Sequence, residues 1–282
     1  MQTDEREQRQ RALYEIAEAI APTWERRRPE LEAVAAPVRT WMVHALAPRP
    51  GDTVLELAAG NGDTGFDAAT IIGERGRLIS TDFSPAMVEA ARRRGQELQL
   101  MNVDYRVIDA QDIALGDDSV DGVLCRFGLM LMVDPEAALA EIRRVLRPGG
   151  RLALAVWGAP RQNPYFTAVV AALVAEGQLE PPEPEGPGVF RMADRARTSA
   201  LLTEAGFETV RIEDVVVLFR VDNIDAYLDL VADTAGPIGL TVRDLADDGR
   251  TAVAARAAHA LETYAGRDGY DIPGDALCAV AS

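Results

Sequence analysis

The sequence predicts an α/β fold, a doubly wound and mostly parallel sheet carrying helical cap insertions. Short apolar runs alternate with helix-like stretches between residues 54 and 157. The first run ends in a glycine-rich turn, Ala58-Ala59-Gly60-Asn61-Gly62-Asp63-Thr64-Gly65. The second closes on an acid, Asp82, about twenty residues beyond Gly62, the spacing of a nucleoside-binding α/β unit. Strands separated by helices pair in parallel through right-handed crossovers. Ligands bind such sheets beyond the carboxyl ends of the strands, where strand order reverses.

Each element follows from local pattern. Residues 7–47 read as helical, with interruptions near Pro22, Pro29 and Pro37, and Pro48-Arg49-Pro50-Gly51-Asp52 is a turn. Val54–Leu57 is a buried strand, and Thr64–Ile72 a helix leaving the glycine turn. Arg77–Thr81 is the second strand. Ser84-Pro85 then starts a helix through Arg94, a capping serine followed by proline at the first helical position. Tyr105–Ile108 and Ser119–Cys125 are the third and fourth strands. In Pro135–Leu146 the residues Ala138, Leu139, Ile142, Val145 and Leu146 share one helical face. Pro148-Gly149-Gly150 stops that helix and turns into a fifth strand, Arg151–Trp157. Beyond it lie a helix at Tyr165–Ala175, a proline-rich linker at Glu180–Gly188, a helix at Arg195–Ala205 and a long strand at Thr209–Arg220. Ile224–Thr234 and Val253–Tyr264 read as helices, and Leu277–Ala281 as a final strand.

Composition limits the function. The 282 residues are 48% apolar with no run of eighteen apolar residues, so a packed core is expected and a membrane span is not. The charged N-terminus lacks the apolar stretch of a signal peptide, and Cys125 and Cys278 are expected to be buried free thiols, consistent with a cytoplasmic protein. All 29 basic residues are arginine, yet the formal net charge is −16. Such a surface repels phosphate backbones, which argues against a nucleic-acid substrate. The short runs Arg26-Arg27-Arg28 and Arg92-Arg93-Arg94 read as solvated helix faces. No HxxxH, CxxC or clustered Asp/His set points to a metal.

The glycine turn with its downstream acid is the pattern that holds an adenosine cofactor. Glycines let backbone amides approach, and a carboxylate grips ribose hydroxyls. Gly60, Gly62 and Gly65 satisfy G-x-G-x-x-G, so a nicotinamide-dependent oxidoreductase is one reading. Three further features point elsewhere. Glu56 closes the first strand, where a carboxylate is unwelcome beside a pyrophosphate but suits a cationic amino-acid tail. Asp109-Ala110-Gln111-Asp112 follows the third strand, placed to accept from an adenine amine. Arg144-Val145-Leu146-Arg147-Pro148-Gly149-Gly150 leads into the fifth.

Together these residues resemble the class I S-adenosylmethionine-dependent methyltransferases, in particular the subgroup with the ubiquinone and menaquinone biosynthesis enzymes. The resemblance covers residues 38–157 well and 190–217 loosely. It implies a seven-stranded sheet of order 3-2-1-4-5-7-6 with strand seven antiparallel, Leu277–Ala281 being that strand and a lid insertion spanning about 221–274. The implied organisation is an N-terminal helical segment 1–47, a cofactor-binding core 48–157, a cap insertion 158–192 and a C-terminal part of the core 193–282. The implied cofactor is S-adenosylmethionine. Glu56, Ala58, Gly60 and Gly62 would line its methionine part, Asp82 its ribose, Phe83 and Met87 the adenine faces, Asp109 and Ala110 the adenine edge, and Arg126 its reactive end. Ala58 departs from the family's glycine at that position and narrows the freedom of φ.

The implied reaction is methyl transfer to a small organic acceptor, at oxygen or carbon, by in-line displacement. A cofactor-binding protein without that activity is a further reading. Acceptor contacts are expected from the added pieces, with Trp24, Asn163 and Tyr165 as candidates. No catalytic base is evident: His44 precedes the first strand at its amino end, and His259 lies in the insertion. The chain is expected to work as a monomer or homodimer.

Overall fold

The computed structural model describes residues 2–181 and 188–282. Helices α1 (Gln2–Arg26) and α2 (Arg28–Leu46) precede β1 (Thr53–Leu57), α3 (Asp63–Ile72), β2 (Arg77–Asp82), α4 (Pro85–Glu97), β3 (Val103–Val107) and β4 (Val120–Arg126). Then come α5 (Pro135–Val145), β5 (Leu146–Trp157), α6 (Pro164–Ala175), α7 (Arg195–Glu204) and β6 (Val210–Val221). The chain ends with α8 (Ile224–Thr234), α9 (Gly236–Arg243), α10 (Asp247–Ala260), β7 (Ala265–Gly266) and β8 (Gly269–Ala281).

The strand order is β3-β2-β1-β4-β5-β8-β6, with the two-residue β7 pairing only with β8. Pairing is parallel from β3 to β5, and β8 runs antiparallel to both β5 and β6. Setting β7 aside, this is the expected order 3-2-1-4-5-7-6. β1 has β2 on one side and β4 on the other, so strand order reverses there and a crevice opens beyond its carboxyl end. Strands β1, β4 and β5 carry the core: Leu55, Leu57, Val123, Leu124 and Leu154 are fully buried.

Six elements differ from the sequence reading. Pro22 and Pro37 lie inside α1 and α2, and the chain breaks only at Arg27. A proline within a helix removes one hydrogen bond, and α2 is held by burial of Val38, Met42, Val43 and Leu46. Pro29 sits in the first turn of α2, where its missing N–H is no loss. Leu146 pairs with Val120 before Pro148-Gly149-Gly150, so that segment bulges within β5, with Gly149 at φ +80°. β8 begins at Gly269, which pairs with β7, and residues 270–274, expected in the insertion, pair with β6. Helix α9 was not read from the sequence, and α10 starts at Asp247 rather than Val253. Of the proline-rich linker, residues 182–187 lie outside the described residues. No described helix is long and apolar enough to cross a membrane.

Asn163 locks the corner where β5 leaves the sheet. It is fully buried. Its side-chain amide donates to the carbonyls of Gly158, Ala159 and Asp275, and its oxygen accepts from the Asp275 amide at 3.0 Å. Asn163→Ala leaves these backbone groups unpaired in the interior and is expected to destabilise the fold by about 2–3 kcal/mol. A denaturant midpoint unchanged from wild type would contradict that role.

Candidate active site

The glycine turn is suspended between two buried carboxylates. Glu56, 3% exposed at the end of β1, accepts from the Gly65 amide at 2.7 Å and from the Ser80 hydroxyl at 3.2 Å. Only glycine fits at 65, because a Cβ there would lie 2.3 Å from Glu56 Oε2. Asp82, 6% exposed at the end of β2, accepts from the Gly60 amide at 3.0 Å and from the Ser84 amide at 3.1 Å. Burial pushes Glu56 up to about 8, against which the Gly65 hydrogen bond and Arg126 act. Burial likewise pushes Asp82 up to about 6, opposed by its amide donors and reinforced by nearby Glu18.

The turn itself needs left-handed backbone. Gly60 and Gly62 have φ of +54° and +83°, and Ala58 takes +50° despite its side chain. A left-handed alanine costs about 1 kcal/mol. Its methyl faces Gly128, where an added Cβ would sit 2.5 Å from Ala58 Cβ and 3.1 Å from Cys125 Sγ. Glycine at 128 thus makes room for the alanine at 58.

The remaining sequence candidates fall around the same crevice. Asp109 follows β3 with one carboxylate oxygen accepting from the Gln111 amide at 2.9 Å, and Ala110 beside it is buried. Phe83 is half-buried and Met87 is buried on the first turn of α4, which Ser84 caps. Arg126 ends β4, but its guanidinium pairs with Glu32 of α2 at 2.6 Å, and Glu32 also takes Arg39 at 2.7 Å. The ring of Trp24 lies against the turn, 3.5 Å from where a Cβ on Gly60 would be, and its indole N–H donates to the Thr234 carbonyl.

Two acceptor candidates are structural instead. The donors of Asn163 are taken by backbone carbonyls, as described above. Tyr165 is 2% exposed and stacked on Phe219 at 3.8 Å, so its ring is core. In the aromatic wall beside β4 and β5 the sequence reading did not single out Phe127. There Phe127, at φ +58°, stacks on Trp157 at 4.2 Å, and Phe166 meets Trp157 edge-on at 5.0 Å. It also missed Glu18, Gln10 and Glu32, polar residues on helices that a search for apolar periodicity does not flag.

Unpaired buried atoms indicate what the turn can hold. Asn61 Oδ1, Asp63 Oδ2 and Thr64 Oγ are buried without a hydrogen-bond partner. Asp63 is 7% exposed, and its other oxygen faces Arg28 at 3.4 Å. Orphaned oxygens clustered in the glycine turn and the first turn of α3 fit a cationic amino-acid group. With Asp82 for vicinal hydroxyls and Asp109 for an exocyclic amine, the residues present suit S-adenosylmethionine. Among the described residues no group of three or more His, Cys, Asp or Glu is placed to hold a metal ion.

Comparison with known proteins agrees. A family model described as a methyltransferase domain matches residues 48–179. The demethylmenaquinone methyltransferase of Clavibacter sepedonicus is 32% identical over 61% of this chain and 72% of its own length. The ubiquinone/menaquinone biosynthesis C-methyltransferase UbiE of Klebsiella pneumoniae is 30% identical over 57% of this chain and 68% of its own. The chain spans about half of other relatives, 46% of the one from Hydrogenovibrio crunogenus at 39% identity. Among solved structures, an S-adenosylmethionine-dependent methyltransferase from Aquifex aeolicus has a TM-score of 0.51 at 22% identity, covering 65% of this chain and 87% of that one. The [4+2]-cyclase SpnF has a TM-score of 0.56 at 20% identity, covering 94% and 96%. These two likenesses concern the fold alone, and the second shows that the fold does not fix the reaction.

The buried acids have a consequence for pH. A carboxyl raised from 4.5 to about 8 keeps its proton in the folded state over that window while the unfolded chain releases it. Stability is therefore present on the acid side and is lost as pH rises through the window, by a few kcal/mol for Glu56. Glu56→Gln removes this titration, so wild-type melting temperature should fall between pH 6 and 8 relative to the variant; parallel curves would refute the buried proton. At the opposite wall, Gly128→Ala is expected to cost about 1–3 kcal/mol by overpacking against Ala58. Ala58→Gly should restore most of that loss in the double variant, and strictly additive midpoints would show that the two positions are not in contact.

Proposed function

We propose, since the chain belongs to the family of S-adenosylmethionine-dependent ubiquinone and menaquinone C-methyltransferases, that its acceptor is a flat aromatic ring bearing an ionisable hydroxyl, methylated at carbon. The chain is an S-adenosylmethionine-dependent methyltransferase acting on a small organic molecule. The observation that carries the cofactor assignment is the convergence of Asp82, the Gly60 amide and Asp109 on the crevice where strand order reverses.

When bound, the cofactor supplies an electrophilic methyl carbon on a sulfonium, open to in-line displacement. The chain's residues would hold and orient it. Asp82 would accept from both ribose hydroxyls, and Asp109 from the adenine amine, with the Ala110 amide beside it. Phe83 and Met87 would flank the ring. Asn61 and Asp63 offer their unpaired oxygens to the ammonium group, and Glu56 acts indirectly by holding the Gly65 amide. Aligning nucleophile, carbon and sulfur, and excluding water, can lower the barrier by several kcal/mol.

Carbon methylation suits the lack of a base. His259 is 88% exposed on α10, and His44 lines a separate groove between α2 and α3. A ring activated by its own phenolate needs no protein base: the new carbon–carbon bond takes the methyl, the carbon–sulfur pair returns to sulfur, and the ring proton leaves to solvent. The stacked Phe127–Trp157 pair beside β4 and β5 offers such a ring an apolar wall. In this reading 2–47, 158–181 with 188–192, and the segment between β6 and β8 form the acceptor cap over the 48–157 core. The chain works as a monomer or homodimer in a reducing cytoplasm, on a small molecule rather than on nucleic acid, in keeping with its charge of −16 and two buried free thiols.

Incubation with methyl-labelled S-adenosylmethionine and a panel of hydroxylated naphthols and benzoquinols should place label on ring carbon. Label appearing only on oxygen would overturn the carbon assignment. Asp82→Ala should weaken S-adenosylhomocysteine binding about a hundredfold, two charge-assisted hydrogen bonds being lost. Calorimetric affinity equal to wild type would refute the ribose role.

A further inference from the structure

We infer that α1 is a strap closed over the cofactor crevice, so that S-adenosylmethionine and this helix compete for the same polar atoms. The inference rests on the cofactor reading above and adds a control of access to it. Arg6, Gln10, Tyr14 and Glu18 recur every fourth residue and so share one helix face. That face follows the crevice. Arg6 pairs with Asp134, the N-cap of α5, at 2.9 Å. Gln10 donates its amide to Asp109 Oδ2 at 2.9 Å and accepts from Gln111 at 3.1 Å. Tyr14 meets Phe83 edge-on at 6.2 Å. Glu18 accepts from the Ser84 hydroxyl at 2.5 Å and the Ala86 amide at 3.1 Å. Farther along, the Trp24 ring covers Gly60, and its carbonyl accepts from the Asn61 side chain at 3.2 Å.

These contacts stand where a nucleoside would bind. The amide nitrogen of Gln10 is to Asp109 what an adenine amine would be, a donor at hydrogen-bond distance. Trp24 occupies the open face of Gly60, the approach that glycine is there to provide. Met87 is closed off by Ile20 and Ala21. A nucleoside cannot reach Asp109 and Gly60 while α1 keeps both.

The helix is also built to lift. Its buried apolar residues Ile20 and Ala21 cluster with Met87, with Ile16, Trp24 and Ala86 packed against them, separate from the main core. The rest of its hold on the crevice is largely polar. Few buried apolar contacts mark an element that opens locally well before the fold does. Observed cofactor affinity is then the intrinsic affinity reduced by the fraction of open molecules.

The test compares S-adenosylhomocysteine binding to the full chain and to the double variant Gln10→Ala/Glu18→Ala. The loosened strap should bind about three- to tenfold tighter and associate faster. Unchanged or weaker binding overturns the competition. In the wild type, saturating S-adenosylhomocysteine should raise amide hydrogen exchange across residues 8–24, and added protection there overturns the strap independently of any variant. Asp82→Ala separates the two layers. If it abolishes binding while the α1 variant has no effect, the strap falls and the cofactor site stands. If it leaves binding untouched, the cofactor reading falls and the strap falls with it.

Discussion

The interaction on which the site depends is the carboxylate of Asp82 holding the amides of Gly60 and Ser84. It joins three elements at one point: the turn after β1, the end of β2 and the start of α4. A buried carboxylate is costly unless its oxygens are hydrogen-bonded, and backbone amides are donors that no side-chain rotation can withdraw. Glu56 repeats the device from the other side of the turn, through Gly65. The turn is therefore fixed at both ends by acids that burial drives towards their neutral forms. A cationic ligand favours their ionised forms, whereas a pyrophosphate adds like charge, so a sulfonium-bearing cofactor suits the place better.

Charge also organises the flank of the crevice. Arg126 at the end of β4 pairs with Glu32, Glu32 with Arg39, and Arg39 with Asp67 on α3. The chain of ion pairs ties α2 to the strand end and to the helix leaving the turn. It explains why Arg126, which reads in the sequence as a charged residue closing an apolar strand, is half-buried rather than a free contact. The neighbouring backbone is left-handed at two non-glycine residues, Ala58 and Phe127. Strain held at two adjoining strand ends belongs where a site over-determines its backbone, and Gly128 leaves the side-chain volume that Ala58 occupies.

The core was legible because its signals are local. Apolar runs, the glycine turn, the Ser84-Pro85 start and the Asp82 spacing each lie within a few residues of what they specify, and β1 to β5 follow from them. Elements set by distant partners were not. The first residues of β8, Tyr270-Asp271-Ile272-Pro273 among them, fall in the expected lid insertion, and they become strand because β6 is long enough to pair with them. Asn163 looked available for substrate, and nothing in its sequence surroundings announces that Asp275, on the last strand, takes its amide. The polar stripe of α1 was visible as a four-residue repeat, but a repeat of Arg, Gln, Tyr and Glu reads as a solvated face unless one knows that a crevice lies opposite.

The two halves of the function are therefore written differently. In this reading the cofactor side uses amides, four carboxylates and glycines, confined to residues 56–110, so a short motif carries it. On the proposed acceptor side, the rings of Phe127, Trp157, Phe166, Phe190 and Phe219 come from separate segments after β4. Each of these aromatics is an ordinary core residue by its local pattern. Their wall exists only once β4, β5, β6 and α6 have assembled, and replacing one ring reshapes it without touching Asp82 or the turn. A fold built this way can keep its cofactor while its acceptor changes, which is why the motif identifies the reaction class and the choice of acceptor has to be argued from packing.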